Sequence, residues 1–440
     1  MIRSIVLFSF LLLLGMGSAL AQREDIVYKD STYLPGLRSV RLYQDVDQMV
    51  NQNSLIGGEA RRYPVVPILE LGGDSQLYLS FDDLNERQRT FFYTVIHCNA
   101  DWTPSDLDPL EYINGFDEDE IENFDYSFNT MTSFTHFWLN LPNDDMEFTQ
   151  SGNYLLVVFD DTDDRQIAFT RRFILSEDLV AIDVEEVRPA RVAKQDTHQE
   201  FDVTVTSITG RLRTPTQSVR LSVYQNWRPD NAVIDLAPQG MRQDDVLFDF
   251  QDRIVFEGGK EFRNIDLRNL IFPRRGVFEA SRETGVWEVA AVPSKKRGRS
   301  AYLTSLDING NYTVENLDRD DNDLQSDYAN VLFSLESPTQ YYDEEVYLFG
   351  AMSDWDLRPE FKMTYSDQYK AYLVNVKLKQ GFYDFAYVTV PERGGAIDWS
   401  LTEGNSYQTE NLYSFVVYYR PPGARFDRVL GYRNYKVILQ

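Results

Sequence analysis

"FDVTVTSI", residues 201–208, alternates apolar and polar side chains almost without a break. Successive side chains of an extended chain point to opposite faces, so Phe201, Val203 and Val205 share one face and the polar residues share the other. A period of two is typical of an antiparallel strand that is buried on one side and solvated on the other. This stretch therefore predicts a half-buried β-strand.

The same alternation recurs along the chain. In "YLVNVKLK" (372–379), Asn375, Lys377 and Lys379 lie opposite an apolar face, and "VRLSVYQNW" and "NYLLVVFDD" have similar patterns. Turn-forming residues separate these runs at hairpin spacing, and helical periodicity is nearly absent. The sequence predicts an all-β fold of tandem immunoglobulin-like/early-set β-sandwich domains.

Length and composition suggest several such domains. The chain has 440 residues, of which 43% are hydrophobic and 14% aromatic, and aromatic side chains favour strands. Polar stretches between strand runs suggest where the domains meet. We predict an N-terminal sandwich with an irregular leader at 22–179, a middle sandwich at 180–327, and a C-terminal early-set module at 328–440.

Residues 1–21 have the pattern of a secretory signal peptide. Arg3 supplies the positive end, an apolar run follows, and Ala19-Leu20-Ala21 forms a small-x-small cleavage site. The apolar run is short for a membrane span, which needs about 20 residues. We therefore expect an exported, soluble protein that begins at Gln22 and has no membrane anchor of its own.

Charge and cysteine content narrow the function classes. The formal net charge of −26 disfavours binding to nucleic acid phosphates and to anionic lipid surfaces. The charge is explained by solubility, with a basic protein partner as the alternative. A single cysteine excludes an internal disulfide, so apolar cores must stabilise the fold.

The only cysteine follows a histidine in "YTVIHCNADW" (93–102). Neighbouring side chains on a strand point to opposite faces, so His97 and Cys98 cannot form a dyad facing one pocket. A nucleophilic Cys98 would need His136 or His198 beside it in space, and a zinc site would need nearly every His and Cys in the chain. We interpret Cys98 as a small buried apolar residue, and His97 and His136 as hydrogen-bonded strand or loop residues.

Acidic clusters at 117–125, 160–164 and 318–323 are candidate calcium ligands. An EF-hand loop with Asp318, Asp320 and Asn322 at positions 1, 3 and 5 fails, because Asp323 and Ala329 stand where Gly and Glu are required. A looser oxygen site remains an alternative to solvated loops, and carboxylate pairs for glycoside hydrolysis are not specified anywhere. No nucleophile elbow, metalloprotease motif or P-loop is present, so we predict no enzyme activity, no catalytic residue, no metal and no cofactor.

In the C-terminal third, "VYLFGAMSDWDLRPEFKM" followed by "YLVNVKLKQGFYDFAYVTV" resembles the early-set modules that include glycogen-binding domains, in which an aromatic residue on a turn stacks on sugar. Trp355 would be the stacking residue and Trp399 a second one, which makes a periplasmic carbohydrate-binding protein the alternative function. The simpler interpretation is that Trp355 packs in the core, because an aromatic ring contributes much apolar area to a small sandwich.

Several longer stretches occur together and in order: "YTVIHCNADWTPSDLDPLEYINGF" (93–116), "SFNTMTSFTHFWLNLPN" (127–143), "SGNYLLVVFDD" (151–161), "VYQNWRPDNAV" (223–233), "FEGGKEFRNIDLRNL" (256–270), "DINGNY" (307–312) and "DYANVLFSL" (327–335). This series resembles the plug protein family of the type IX secretion system of Bacteroidota, over nearly the whole mature chain. The resemblance implies a periplasmic, non-enzymatic protein that binds the outer-membrane translocon barrel. It would seal the periplasmic opening while no cargo shuttle is bound, with no small-molecule substrate and with partner-binding residues that the sequence does not identify.

Overall fold

The computed structural model describes residues 26–45, 66–85, 87–162, 165–210 and 212–437. Nearly all regular structure in these residues is β-strand, which confirms the predicted all-β fold. The predicted signal peptide lies outside the described residues. The helical segments are short: α1 (Pro109–Tyr112), α2 (Pro215–Ser218) and 3-10 turns at Val192–Lys194, Ala351–Ser353 and Pro359–Phe361.

The first sandwich is built from twelve strands: β1 (Ser31–Thr32), β2 (Leu37–Asp45), β3 (Ile68–Glu70), β4 (Gln76–Asp83), β5 (Phe91–Cys98), β6 (Ile113–Gly115), β7 (Glu118–Glu120), β8 (Phe124–Tyr126), β9 (Thr135–Leu141), β10 (Met146–Phe148), β11 (Gly152–Asp160) and β12 (Gln166–Ser176). One sheet has the order β1-β12-β11-β5-β7 and the other has the order β2-β4-β9-β8. Their facing surfaces enclose a core in which Phe81 stacks on Phe137, with ring centroids 5.1 Å apart.

The middle sandwich begins with β13 (Val180–Val187), β14 (His198–Ser207), β15 (Val219–Gln225), β16 (Val233–Leu236), β17 (Gly240–Arg242), β18 (Asp245–Phe248) and β19 (Val255–Glu257). The stretch "FDVTVTSI" lies in β14, apart from its last residue. Phe201, Val203 and Val205 are buried in the middle core, as the alternation predicts.

The next nine strands form a separate sheet: β20 (Arg263–Asp266), β21 (Val277–Ser281), β22 (Trp287–Ala291), β23 (Tyr312–Val314), β24 (Tyr328–Glu336), β25 (Glu344–Phe349), β26 (Lys362–Ser366), β27 (Ala371–Lys379) and β28 (Gly381–Pro391). Its order is β20-β28-β25-β26-β27-β24-β22-β21, with β23 beside β28. Residues from β20, at one end, and from β22, near the other, enter the same hydrophobic core. We call this unit the C-terminal module.

The last two strands, β29 (Leu412–Tyr419) and β30 (Arg428–Lys436), return to the middle sandwich. Its second sheet has the order β16-β15-β29-β30, in which β29 pairs with β15 in antiparallel register. Conversely, β20 pairs with β28 and β22 pairs with β24 inside the C-terminal module. The predicted boundary between 327 and 328 therefore separates strands that pair, because the module is inserted between β19 and β29.

The first sandwich packs on the middle sandwich through a second apolar layer. The β5–β11–β12 sheet has Leu155 and Val157 on the face away from its own core, and these side chains pack with Tyr224, Tyr418 and other residues of the β15–β29–β30 sheet. The β5–β11–β12 sheet is thus buried on both faces, which explains the six consecutive apolar residues, 154–159, of "NYLLVVFDD" in β11.

In the part of the chain that the structure describes, no helix is long and apolar enough to cross a membrane.

Candidate functional site

His97 and Cys98, at the end of β5, have side chains in two different cores. His97 packs edge-on against Tyr154, with ring centroids 5.0 Å apart, and its Nδ1 lies 2.9 Å from Ser105 Oγ. Cys98 enters the apolar layer between the first and middle sandwiches. The two side chains are separated by strand geometry, as predicted.

Both side chains are neutral at pH 7. Burial lowers the pKa of the His97 imidazole to about 4 and raises the pKa of the Cys98 thiol to about 12. Because the nucleophilic form of cysteine is the thiolate, buried Cys98 has almost none of the reactive form at neutral pH. The environment matches a small buried apolar residue rather than a dyad member.

The loop after β5 connects the first sandwich to the middle sandwich. Trp102 Nε1 donates a 2.9 Å hydrogen bond to the Tyr224 hydroxyl, and the Arg172 guanidinium lies 4.9 Å from the Trp102 ring centre. Asn99 Nδ2 donates to two acceptors within the loop. Asn99 and Trp102 therefore hold this loop, and Trp102 also joins two domains.

His136 belongs to a buried charged network between the first sandwich and the C-terminal module. Its Nδ1 lies 2.6 Å from Asp82 Oδ1. From the module, Lys379 Nζ and the Tyr328 hydroxyl each donate to Asp82 Oδ2 at 2.6 Å. The third histidine, His198, is remote from both others and contacts the hydroxyl of its neighbour in sequence. The three histidines therefore do not form a common site.

Two of the acidic segments are held by arginines. Asp160 Oδ2 lies 3.3 Å from Arg89 Nε, and Asp323 Oδ1 lies 3.7 Å from Arg41 Nη2. Positions 163 and 164 lie outside the described residues. Among the residues that are described, no three or more carboxylate, imidazole or thiol groups are arranged as a metal site.

Trp355 and Trp399 are buried in one aromatic cluster with Phe349 and Phe262. The guanidinium of Arg228, which comes from the middle sandwich, lies 4.4 Å from the Trp399 ring centre and 5.5 Å from that of Trp355. Sugar stacking requires an open ring face, whereas these rings are 6% and 7% exposed. The cluster joins the module to the middle sandwich, which fits the packing interpretation of Trp355.

The glycine of "DINGNY" (307–312) is required by the turn that packs against this cluster. Gly310 has a φ of +78°, and a Cβ there would lie 2.3 Å from the Trp355 ring. Only glycine fits both the left-handed backbone and the close approach.

A buried carboxyl cluster, which we did not predict, lies next to this turn. Asp384 is fully buried and accepts hydrogen bonds from the backbone amides of Ile308 and Gly310. The carboxyls of Asp307 and Glu261 hydrogen-bond to each other, which requires a proton on one of them. Burial raises the pKa of all three carboxyls; repulsion from Glu261 adds to the rise at Asp307, and repulsion from Asp307 adds to the rise at Asp384.

The Asp307→Asn substitution is expected to reduce the loss of stability at high pH. A carboxyl whose pKa is raised on folding contributes stability that is complete below its unfolded value of about 4 and is lost as pH rises through the folded value. Asparagine mimics the protonated form, so the free energy of unfolding at pH 8 should rise by about 1 kcal/mol or more relative to wild type, with a smaller difference at pH 5.

Urea unfolding at both pH values measures this effect. Asp367→Asn, at a side chain that is 89% exposed, is the matched control and should leave the pH dependence unchanged. Identical pH dependence of Asp307→Asn and wild type would contradict the shared proton.

The third acidic segment, 117–125, lies within a longer exposed edge of the first sandwich. We call residues 116–131 the edge segment. It contains β7 and β8, which are the last strands of the two opposing sheets. The segment therefore crosses from one sheet to the other along a border beside which the described part of the chain places no further strand.

The edge segment exposes large apolar side chains between carboxylates. The exposed fractions are 62% for Phe116, 54% for Tyr126, 46% for Phe128 and 41% for Met131. The carboxylates are Asp117, Glu118, Asp119, Glu120, Glu122 and Asp125. Charges on edge strands also prevent aggregation, so the acidic residues have a structural explanation. That explanation does not apply to the exposed aromatic side chains on the same border, which are typical of protein interfaces.

The end of the edge segment is anchored to the C-terminal module. Asp327 accepts hydrogen bonds from the backbone amides of Met131, at 2.7 Å, and Thr132, at 3.0 Å. The Phe128 amide donates to Leu324 O. These bonds hold exposed Phe128 and Met131 on a fixed framework, which lowers the entropic cost of binding a partner.

Comparison with known proteins identifies the family. Residues 37–177 match the family described as "Type 9 secretion system plug protein 1st domain". A crystal structure of a hypothetical protein from Parabacteroides merdae ATCC 43184 matches with a TM-score of 0.85 and 30% sequence identity, covering 94% of this chain and 100% of that chain. No curated protein matches. Because the first sandwich matches the first domain of this family, the chain belongs to the type IX secretion system plug protein family, and its role lies in type IX secretion.

Proposed function

We propose that this protein is a periplasmic, non-enzymatic plug that binds the outer-membrane translocon barrel of the type IX secretion system. It seals the periplasmic opening of the barrel when no cargo shuttle is bound. The observation that carries this proposal is the family match over residues 37–177, which covers strands β2 to β12 of the first sandwich and the whole edge segment.

The architecture suits a cover for a wide pore. A channel that passes folded cargo leaks small molecules unless one opening is closed. The three units of this chain are connected by an apolar layer, a buried charged network and the Arg228–tryptophan cluster, so they resist bending against one another. Such a body covers an opening without entering the membrane.

The edge segment is the proposed contact surface. Its aromatic side chains provide the apolar area that dominates binding energy in small interfaces, and its carboxylates favour a basic rim on the partner. Release during secretion requires reversible binding, which an interface of moderate size with polar borders allows.

Site-specific photo-crosslinking in cells tests the contact. A photoreactive residue in place of Tyr126 should capture one large outer-membrane protein, whereas the same residue in place of Tyr369 should not. Tyr369 is 66% exposed on the C-terminal module and serves as the matched control. Capture of no barrel protein from Tyr126, Phe116 and Phe128 alike would exclude this surface. If a pull-down with the full chain recovers no outer-membrane barrel protein, the plug function itself is excluded.

The double substitution Phe116→Ser/Tyr126→Ser is expected to raise envelope permeability to bulky antibiotics towards that of a deletion strain. Loss of one aromatic anchor costs about 2 kcal/mol of binding, which is about a thirtyfold loss of affinity. Both side chains are exposed, so folding should be retained. Tyr342→Ser/Tyr369→Ser is the control, and an equal rise in permeability for the control pair would contradict the assignment.

A further inference from the structure

A cavity of about 330 Å³ lies between the first sandwich and the C-terminal module. Strand β2 forms one wall, and the polar face of β27, predicted from "YLVNVKLK", forms the opposite wall. The volume is within the range of sites for small molecules, about 300–1,000 Å³. The edge segment contributes nothing to this cavity, so the site is separate from the proposed plug contact.

The cavity wall is basic although the protein as a whole is strongly acidic. Five cationic side chains line it: Arg38, Arg171, Arg358, Lys377 and Lys379. Only two carboxylates accompany them, Asp354 and Glu360. A local excess of positive charge in a chain of net charge −26 is not explained by composition.

Three of the five cations are neutralised by carboxylates. Arg171 and Arg358 share Asp354, at 2.9 Å each, and Arg358 also contacts Glu360 at 2.7 Å. Lys379 is paired with Asp82 below the cavity.

The other two cations, Arg38 and Lys377, form no ion pair within the described part of the chain. Arg38 Nη1 donates only to a backbone carbonyl, that of Leu37, at 2.7 Å. Lys377 lies beside Asn330 in the sheet, and the nearby Glu288 accepts a hydrogen bond from Asn330 rather than from Lys377. Two half-buried positive charges on opposite walls therefore face a shared polar space.

A bulge in β2 contributes to this arrangement. The register between β2 and β4 shifts between Arg38 and Arg41, and Ser39 adopts a positive φ of 53°. A bulge turns the neighbouring side chains away from the regular alternation, and a non-glycine residue at positive φ costs free energy that other contacts must offset. Ser39 Oγ lies 3.0 Å from the Tyr328 hydroxyl, which holds the bulge against the module.

We propose that this cavity binds a small ligand with two negative charges on oxygen atoms, and that Arg38 and Lys377 contact those charges. Arginine and lysine on facing walls suit a phosphate-type dianion or a short dicarboxylate, which share this chemistry. Binding links β2 to β27 and so couples the ligand to the junction between the first sandwich and the module.

Thermal unfolding and calorimetry of the full mature chain, titrated with inorganic phosphate, succinate and acetate at constant ionic strength, test the proposal. Phosphate or succinate should bind saturably with a Kd of about 1 mM or tighter and raise the Tm, because a ligand that binds only the folded state stabilises it. Acetate, with one charge, should bind at least about tenfold more weakly. The dianion that binds with the higher affinity identifies the ligand class.

Two charge-removing variants assign the residues. Arg38→Gln and Lys377→Gln should each weaken dianion binding by about tenfold or more, whereas Lys370→Gln, on an exposed side chain of the same module, should leave it unchanged. Arg38→Lys and Lys377→Arg keep the charge and should retain most of the affinity. No saturable binding of either dianion, or equal binding by wild type and both charge-removing variants, would overturn the proposal.

Discussion

Replacing Lys379 with methionine is expected to lower the free energy of unfolding by about 3–5 kcal/mol. Lys379 and Asp82 are each 1% exposed in their side chains and lie 2.6 Å apart. Burial by itself would raise the pKa of the Asp82 carboxyl, but the Lys379 ammonium and His136 hold it below the ordinary value. Removal of the lysine leaves a buried negative charge whose remaining hydrogen-bond partners among the described side chains are His136 and Tyr328.

Denaturant unfolding measures this loss, with Lys370→Met as the matched control. Lys370 is 59% exposed and pairs with Asp367 on the surface, so its loss should cost less than about 1 kcal/mol. A second variant, Asp82→Asn/Lys379→Met, removes both charges and should recover part of the stability. Equal stability of Lys379→Met and the control would show that the buried pair contributes nothing.

Replacing Trp102 with alanine is expected to cost about 3–5 kcal/mol and to weaken the junction between the first and middle sandwiches. Trp102 is 6% exposed, packs in the apolar layer between the two units and donates to Tyr224. Its loss creates a cavity in this layer and leaves the Arg172 guanidinium without the ring it covers.

Unfolding and limited proteolysis together measure this effect. Trp138→Ala, at a half-buried tryptophan on β9, is the control and should cost less. Trp102→Phe keeps most of the apolar area and should lose about 1–2 kcal/mol, mainly from the missing hydrogen bond. If Trp102→Ala unfolds at the same denaturant concentration as the control, without faster cleavage between the sandwiches, the junction does not depend on this residue.

Strand identity was predictable because its signal is local. The alternation in "FDVTVTSI" and "YLVNVKLK" identified β14 and β27 and assigned each residue to a face, since side-chain direction follows from the backbone of one strand alone. The same geometry separated His97 from Cys98 and removed a catalytic dyad from consideration.

Strand partners were not predictable, because a period of two indicates a face and not a neighbour. The return of β29 to β15 across the inserted module left no mark in the intervening sequence. Burial of polar residues was hidden for the same reason. Lys379 was placed on a polar face, which is correct, yet that face is covered by the first sandwich and its charge is paired with Asp82.

The sequence alone determined the all-β class, the faces of the main strands and the family, because each depends on local spacing or on ordered stretches of residues. Only the tertiary structure decided what those stretches do. Trp102, Arg228 and Asp327, from three separate family stretches, each connect one unit to another, and Trp355 is covered rather than open. Such contacts join residues far apart in the chain, so their physical role exists only after the sandwiches have packed together.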